Sequence, residues 1–225
     1  MAIFLDTGNM IEVEKYMKMG VIRGVTTNPT ILMKEGVKGG LKGIRQRSIE
    51  IAERISPYPL SVEVTSNDYR EMIDQALEYS QWAKNIVVKI TIHGPEGEDH
   101  NLIAIHDLAS KHRIPINATA MMSAQQGLLA AMAGASYLSL FGGRINNMGY
   151  NACDEIRKLR NLVDTFSFDA RIIVGSTREV LNIIEWLLAG AHIVTVTPHL
   201  LQGMLVHPYS KETIQMFLRD ASKIL

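Results

Sequence analysis

A short unit recurs along this chain: a β-branched apolar run, a polar corner, a helical stretch and a glycine. The first unit begins with residues 2–5, continues with a capping-box-like helix start at Asn9, and ends at Gly20. Seven further apolar runs are predicted strands, each followed by a helical stretch: residues 21–25, 60–64, 86–90, 114–118, 136–140, 171–174 and 191–196. Eight such units nearly fill the 225 residues.

Strands that alternate with helices pair in parallel, and eight of them close most naturally into a barrel. We therefore predict an α/β protein with a (β/α)8 TIM-barrel fold, in a chain shorter than the roughly 250 residues typical of that fold. No Pro/Ser-rich linker or charge run divides the sequence, so residues 1–225 are predicted to form a single domain. An open doubly wound sheet is the alternative.

A further helix is predicted after the last unit, at residues 210–225. Ile214, Phe217, Leu218 and Ala221 fall on one face of it. Because no strand follows, this apolar face either packs across the barrel or contacts a neighbouring subunit. The sequence leaves both options open, and we predict a homo-oligomer.

The charge balance bears on the partners of the protein. Lys plus Arg and Asp plus Glu both total 23, so no strong field attracts a nucleic acid or an anionic membrane surface. No apolar run approaches the roughly 20 residues that span a bilayer. The single Cys153 cannot form an internal disulfide, and the first residues show no secretory signal pattern. We predict a cytoplasmic protein that binds neither nucleic acid nor membrane.

Lys89 lies within the predicted strand at residues 86–90, between Val88 and Ile90. Burying a charged amine costs several kcal/mol unless the amine is paired or loses its proton. A lysine at such a position either extends its amine into water at the strand end or serves as a nucleophile. The residue alone does not separate these two readings.

Polar residues end most of the other apolar runs, where the catalytic groups of barrel enzymes lie. They are Asp6, Asn28, Glu63, Asn117, Thr119, Ser139 and Ser176. Each alone is an ordinary helix cap or turn residue. Together with a lysine on one rim, however, a carboxylate, hydroxyls and amides are what imine chemistry requires, because an amine must attack a ketone and a base must then move protons.

Two arginines follow glycines at related places in their units, Arg144 after Gly142-Gly143 and Arg178 after Gly175-Ser176-Thr177. Glycine lets a ligand approach the backbone, and a guanidinium binds phosphate oxygens in a bidentate manner. The pattern predicts a phosphate site. The alternative is that each arginine pairs with a surface carboxylate.

Several short motifs occur in order along the chain: Phe4-Leu5-Asp6-Thr7, Gly24-Val25-Thr26-Thr27-Asn28-Pro29, Val88-Lys89-Ile90, Asn117-Ala118-Thr119, Ser139-Leu140-Phe141-Gly142-Gly143-Arg144 and Ser176-Thr177-Arg178. With these motifs the chain resembles the transaldolase family. The chain looks most like the short subfamily that also contains fructose-6-phosphate aldolases. The match runs from Phe4 to Pro208, nearly the whole chain.

The resemblance implies a mechanism without metal or organic cofactor. Lys89 would form a Schiff base with C2 of a ketose phosphate, such as sedoheptulose 7-phosphate or fructose 6-phosphate, in the pentose phosphate pathway. Asp6 would be the acid/base, and Glu63 and Thr119 would hold the water of imine formation and hydrolysis. Asn28, Asn117 and Ser139 would bind the hydroxyls of the three-carbon unit, and Arg144, Ser176 and Arg178 the phosphate. A pentamer or decamer is also implied.

Two positions bear on transferase against aldolase activity. Family aldolases that release dihydroxyacetone tend to carry Gln where Glu63 stands and Tyr where Phe141 stands, so the residues present favour a transaldolase. Thr91 and Leu140 replace prolines usual in the family, and residues 93–101 lengthen the loop after the lysine strand. We expect that loop to border the mouth of the barrel. These departures also leave open a phosphosugar-binding barrel that has lost catalysis.

Overall fold

A computed structural model describes residues 2–225 and contains a closed barrel of eight parallel strands. The strands are β1 (Ala2–Asp6), β2 (Val25–Thr26), β3 (Leu60–Glu63), β4 (Ile86–Thr91), β5 (Ile116–Met121), β6 (Tyr137–Leu140), β7 (Arg171–Val174) and β8 (Ile193–Val196). Each strand pairs with the next, and β8 pairs with β1 from Ala2↔Ile193 to Leu5↔Val196. The predicted (β/α)8 TIM barrel is confirmed, and the open sheet is wrong because this last pairing closes the ring.

Helices follow the strands and surround the barrel. They are α1 (Met10–Lys18), α2 (Pro29–Lys34), α3 (Gly40–Ile55), α4 (Tyr69–Ser80), α5 (His100–Lys111), α6 (Ala124–Met132), α7 (Gly142–Asn147), α8 (Ala152–Thr165), α9 (Val180–Leu188), α10 (Pro198–Leu205) and α11 (Pro208–Ile224). The Asn9 side chain caps α1 by accepting a hydrogen bond from the Ile11 amide, at 2.9 Å. Within residues 2–225, no helix is long and apolar enough to cross a membrane.

Successive side chains of each strand point alternately outward to the helices and inward to the barrel, and this separates the core from the site. In β1, Leu5 faces outward and joins the main core, which contains strand residues such as Val88 and Ile90 and helix residues such as Ile51 and Trp186. Phe4 faces inward and forms a smaller apolar cluster with Ile173 and Ile193. Asp6, two residues further along β1, therefore faces into the barrel above this cluster.

Two strands, β2 and β5, differ most from their predicted bounds. Residues 21–25 were expected to form a strand, but β2 covers only Val25–Thr26. Just before β2, the backbone of Gly24 packs directly against the ring of Phe4, since a Cβ on Gly24 would lie 2.6 Å from Cζ of Phe4. β5 begins at Ile116, after Pro115, and extends to Met121 with a register shift against β6.

The C-terminal helix is confirmed, and α11 begins at Pro208, two residues before the predicted start. Every residue of this helix is exposed, including Phe217 and Leu218. The option in which its apolar face packs across the barrel of the same chain is therefore wrong.

Candidate active site

A cavity of about 440 Å³ opens at the carboxyl ends of the barrel strands. Nine of the eleven predicted site residues line it: Asp6, Asn28, Glu63, Lys89, Thr119, Ser139, Phe141, Arg144 and Ser176. Five of them lie on strands β1, β3, β4, β5 and β6, and the other four lie in the segments after β2, β6 and β7, so only the closed barrel brings them together.

Lys89 points into this cavity from β4 and is only 5% exposed. Its Nζ atom lies 3.0 Å from Oε2 of Glu63 on the neighbouring strand and donates a hydrogen bond to the Thr27 carbonyl at 3.2 Å. Glu63 and Lys89 are register partners in β3 and β4, which places their side chains side by side. The lysine therefore does not extend into bulk water, and its amine is held next to a carboxylate.

Asp6 is half-buried at the end of β1 and lines the same cavity. Burial raises the pKa of its carboxyl above the usual 3.8, while the Lys89 charge and a hydrogen bond from Thr26 act in the opposite direction. The charge of Glu63 adds a smaller upward effect. Asp6 is thus a carboxylate that holds a proton more readily than one in water.

A pair of threonines beside Asp6 was not among the predicted site residues. Thr26 Oγ1 donates a hydrogen bond to Asp6 Oδ1 at 2.7 Å and lies 2.6 Å from Oγ1 of Thr195. Both threonines line the cavity. Thr195 lies inside the predicted strand 191–196, and a polar residue at an inward position of an apolar strand is the signal that could have found it.

Thr119 faces into the cavity beside an irregularity in β5. The register with β6 shifts between Ala118 and Met121, and Ala120 has a φ of 61°, which is left-handed. Thr119 itself is 1% exposed, and its Oγ1 has no hydrogen-bond partner within residues 2–225. This hydroxyl is free to bind water or a ligand in the cavity.

Arg144 and Ser176 meet where α7 approaches the end of β7. A Cβ on Gly143 would lie 1.9 Å from the Ser176 carbonyl oxygen, so glycine is required for this approach. Ser176 has a φ of 59°, and the Arg144 guanidinium lies 5.5 Å from the centre of the Phe141 ring. A cation, a hydroxyl and an apolar wall therefore share one side of the cavity.

Arg178 does not line the cavity and is exposed. Its Cγ lies 3.0 Å from the position of a Cβ on Gly143, so it packs over the start of α7. The two predicted arginines thus lie near each other, but only Arg144 faces the cavity.

Asn117 is also absent from the cavity wall, because it lies one layer deeper in the barrel. It is completely buried, accepts a hydrogen bond from Ser139 Oγ at 2.7 Å and donates one to Ser61 Oγ at 3.0 Å. Side chains from alternate strands stack in layers in such barrels, and Asn117 falls in the layer below Ser139. In this geometry Asn117 holds Ser139, and direct hydroxyl binding by Asn117 stays a prediction.

The wall opposite Arg144 is formed by α2. Asn28 caps this helix through a hydrogen bond from the Ile31 amide at 2.9 Å. Thr30 and Lys34, four residues apart on one helix face, also line the cavity and were not predicted. Their i,i+4 spacing directly after Asn28 is the sequence signal that could have found them.

The lengthened loop after β4 folds on itself instead of lining the cavity. The Gly94 amide donates to the Glu98 carbonyl at 3.0 Å, and His100 Nε2 lies 2.7 Å from the Asn67 carbonyl. None of residues 93–101 contributes to the cavity wall. In the part of the chain that the structure describes, no three His, Cys, Asp or Glu side chains are grouped as metal ligands would be.

The fold and the site together define a class: (β/α)8 barrel proteins with a buried lysine amine among carboxylates, hydroxyls and a guanidinium at the strand ends. Residues 3–225 match the family described as Transaldolase/Fructose-6-phosphate aldolase. The chain is 35% identical over 225 residues to a "Probable transaldolase" of Nitrosopumilus maritimus, covering 100% of this chain and 96% of that protein. It therefore belongs to the transaldolase/fructose-6-phosphate aldolase family, as the motifs indicated.

A second relative agrees with this assignment, and a solved structure agrees with the fold. A "Probable transaldolase" of Carboxydothermus hydrogenoformans is 38% identical, with 98% of this chain and 97% of that protein covered. The thiamine phosphate pyrophosphorylase of Pyrococcus furiosus superposes with a TM-score of 0.60 at 13% identity, covering 87% of this chain and 85% of the other. At that identity the second likeness shows the barrel fold alone.

Proposed function

We propose that this protein is a Schiff-base transaldolase that transfers a dihydroxyacetone unit from a ketose phosphate to an aldose phosphate. The observation that carries the proposal is the Lys89 amine, which is buried in the cavity 3.0 Å from a Glu63 carboxylate oxygen. A carboxylate at this distance can accept the ammonium proton, and the free amine can then attack a ketone carbon. Membership of the family supports the same chemistry.

The first half of the reaction forms an imine. Lys89 attacks C2 of the ketose phosphate, and the carbinolamine loses its hydroxyl as water when a proton is supplied to it. Glu63 is placed to move that proton, since it already contacts the amine. The Thr119 hydroxyl, which has no partner among the described residues, offers a hydrogen bond to the departing water. Hydrolysis at the end of the cycle reverses these steps.

The second half breaks and remakes a carbon–carbon bond. Asp6 takes the C4 hydroxyl proton, the C3–C4 electron pair moves into the imine, and an aldose phosphate leaves an enamine on Lys89. A base works best with a pKa near the operating pH, and burial raises the pKa of Asp6 in that direction. The enamine then attacks an acceptor aldehyde, and Asp6 returns its proton to the new hydroxyl.

Substrate binding is assigned by position around the cavity. Asn28 and Ser139 lie on the walls nearest β2 and β6 and would contact the hydroxyls of the three-carbon unit. Arg144 and Ser176 would bind the phosphate beside the Phe141 ring. Asn117 acts through Ser139 in this scheme, and direct phosphate binding by Arg178 stays a prediction.

Borohydride trapping tests the proposal. Incubation with fructose 6-phosphate and borohydride should add a reduced three-carbon unit to Lys89, detected by peptide mass spectrometry. Lys89→Met should abolish both trapping and transfer, whereas Lys84→Met is a matched control because Lys84 is exposed before β4, at the opposite end of the barrel. An unmodified Lys89 in an active wild-type protein contradicts the mechanism, and full transfer activity of Lys89→Met does so as well.

The transferase assignment is tested with the acceptor. Glu63 and Phe141 favour transfer over release of free dihydroxyacetone. Fructose 6-phosphate or sedoheptulose 7-phosphate should therefore turn over with an aldose phosphate such as erythrose 4-phosphate, and much more slowly without it. Rapid release of dihydroxyacetone in the absence of acceptor indicates the aldolase instead.

We also propose that copies of this chain associate through α11. Its apolar residues Ile214, Phe217 and Leu218 are all more than half exposed, and further exposed apolar residues on α9 include Leu181 and Leu188. A helix with this much apolar surface is covered in a stable protein. Light scattering should give a multiple of the chain mass, and deletion of residues 208–225 should lower it; a monomeric full-length chain contradicts the proposal. The cytoplasmic location stays a prediction.

A further inference from the structure

Asp6 is the last of three side chains linked by hydrogen bonds, which lie on β8, β2 and β1 and are called the threonine chain below. Thr195 Oγ1 lies 2.6 Å from Thr26 Oγ1, and Thr26 Oγ1 lies 2.7 Å from Asp6 Oδ1. Both threonines are nearly completely buried, at 6% and 2% exposed. Such short contacts away from bulk water are shielded from competing hydrogen bonds.

The direction of this chain follows from counting protons. A hydroxyl carries one proton, and an ionised carboxylate can only accept. Thr26 therefore gives its proton to Asp6 and must accept at its other contact, so Thr195 is the donor to Thr26. If Asp6 takes a proton, this order is no longer required. The two hydroxyls thus favour the ionised form of Asp6.

The Thr195 side chain is held in the orientation that this donation requires. Its methyl group faces β7, where a Cβ on Gly175 would lie only 3.1 Å from Thr195 Cγ2. Its backbone carbonyl accepts a hydrogen bond from Thr177 Oγ1 at 2.9 Å, and its register partner in β1 is Phe4. Because a β-branched side chain has few χ1 rotamers, fixing the methyl group also fixes the hydroxyl, which points away from β7 toward Thr26.

Other charged groups also face Asp6. Lys89 on β4 favours the carboxylate, and Glu63 on β3 opposes it. Lys34 on α2 and Arg144 on α7 line the same cavity. These groups are not connected to Asp6 by hydrogen bonds, whereas Thr26 is. The threonine chain is therefore the hydrogen-bonded contact that orients this carboxylate, and it adds to the effect of Lys89 in favouring the charged form.

We propose that Thr195 is a positioning residue which, through Thr26, holds Asp6 ionised and oriented to take the substrate hydroxyl proton. The proposal rests on the proposed function, in which Asp6 is the base of carbon–carbon cleavage. Thr195 does not need to touch the reacting atoms in this role. Its loss should affect the proton-transfer step more than ground-state binding.

The test compares Thr195→Val, Thr195→Ser and wild type in transfer from fructose 6-phosphate to erythrose 4-phosphate over a range of pH. Valine keeps the shape and removes the donor, so we expect kcat to fall about threefold to tenfold, the loss of one or two buried neutral hydrogen bonds. The acidic limb of kcat should move to higher pH, because Asp6 then holds its proton more tightly. KM should change little, and Thr195→Ser should return the acidic limb of kcat to its wild-type position.

Two outcomes overturn the inference. One is an acidic limb of Thr195→Val that coincides with that of wild type, and the other is Thr195→Ser behaving like Thr195→Val, which would indicate a packing role. If Thr195→Val does not fold, Thr195→Ala against Thr195→Ser gives the same comparison, since these differ by one oxygen atom. Borohydride trapping at Lys89 in wild type separates the two proposals: absent trapping rejects the proposed function, whereas normal trapping with an unmoved limb rejects only the role of Thr195.

Discussion

Gly143→Ala should damage the phosphate side of the cavity without touching the lysine. The added Cβ would lie 1.9 Å from the Ser176 carbonyl oxygen, and ordinary contact begins at 3.4 Å, so α7 and the end of β7 must separate by about 1.5 Å (3.4 minus 1.9). Arg144 is the next residue and moves with the helix. A misplacement of about 1 Å in a substrate-binding group can cost about 100-fold in rate, and overpacking costs about 1–3 kcal/mol of stability.

We therefore expect kcat/KM for fructose 6-phosphate to fall about 100-fold, mainly through KM. Borohydride trapping of unphosphorylated dihydroxyacetone at Lys89 should be retained, because that ligand lacks the phosphate. Gly203→Ala on α10 is the matched control, since its Cβ would meet only a Val180 methyl group at 3.0 Å, which can move aside. Equal kinetics for the two variants, or equal loss of trapping and of phosphate-dependent binding, refutes the reasoning.

Three other substitutions give separate tests. Asp6→Asn should abolish transfer yet raise the melting temperature at pH 7, because a raised folded pKa means that the charged form is disfavoured by folding; the gain should shrink as the pH falls toward 3.8, and a lowered melting temperature at pH 7 contradicts this. Thr119→Val should slow transfer without loss of stability, since the Thr119 hydroxyl has no partner within residues 2–225; a large drop in melting temperature contradicts this. Ile90 is completely buried on the outer face of β4, so Ile90→Ala should lower the free energy of unfolding by about 2–5 kcal/mol, measured with denaturant. A loss below about 1 kcal/mol would mean that neighbouring side chains fill the space left by the isoleucine.

The order of elements was predictable because each strand–helix unit carries its own local signals. The Asn9 cap and the left-handed glycines Gly134 and Gly190, with φ of 97° and 112°, are set by residues nearby in the chain. The bounds of β2 were missed because they depend on a non-local contact. Gly24 lies against the Phe4 ring, and no pattern within residues 21–25 reports that ring.

The location of the site was predictable because polar residues end several of the apolar runs in the sequence. Lys89, Glu63 and Asp6 lie at or near the carboxyl ends of three strands and face inward. Closure of the barrel brings them together. The depth of each residue could not be read from the sequence. Asn117 precedes Thr119 by two positions and faces the same way, yet Asn117 lies beneath Ser139 whereas Thr119 reaches the cavity. This difference depends on the pairing of β5 with β6, in which Asn117 is opposite Tyr137, two residues before Ser139.

The hydrogen bond from Ser139 to Asn117 limits which ligands can be recognised above it. The only proton of Ser139 is given downward to the amide oxygen, at 2.7 Å, and Asn117 is locked in turn by Ser61. What Ser139 presents to the cavity is therefore lone pairs alone. A sugar hydroxyl can satisfy them, whereas a deoxyfluoro or methoxy analogue of the same shape brings no hydrogen and meets an oxygen that repels it.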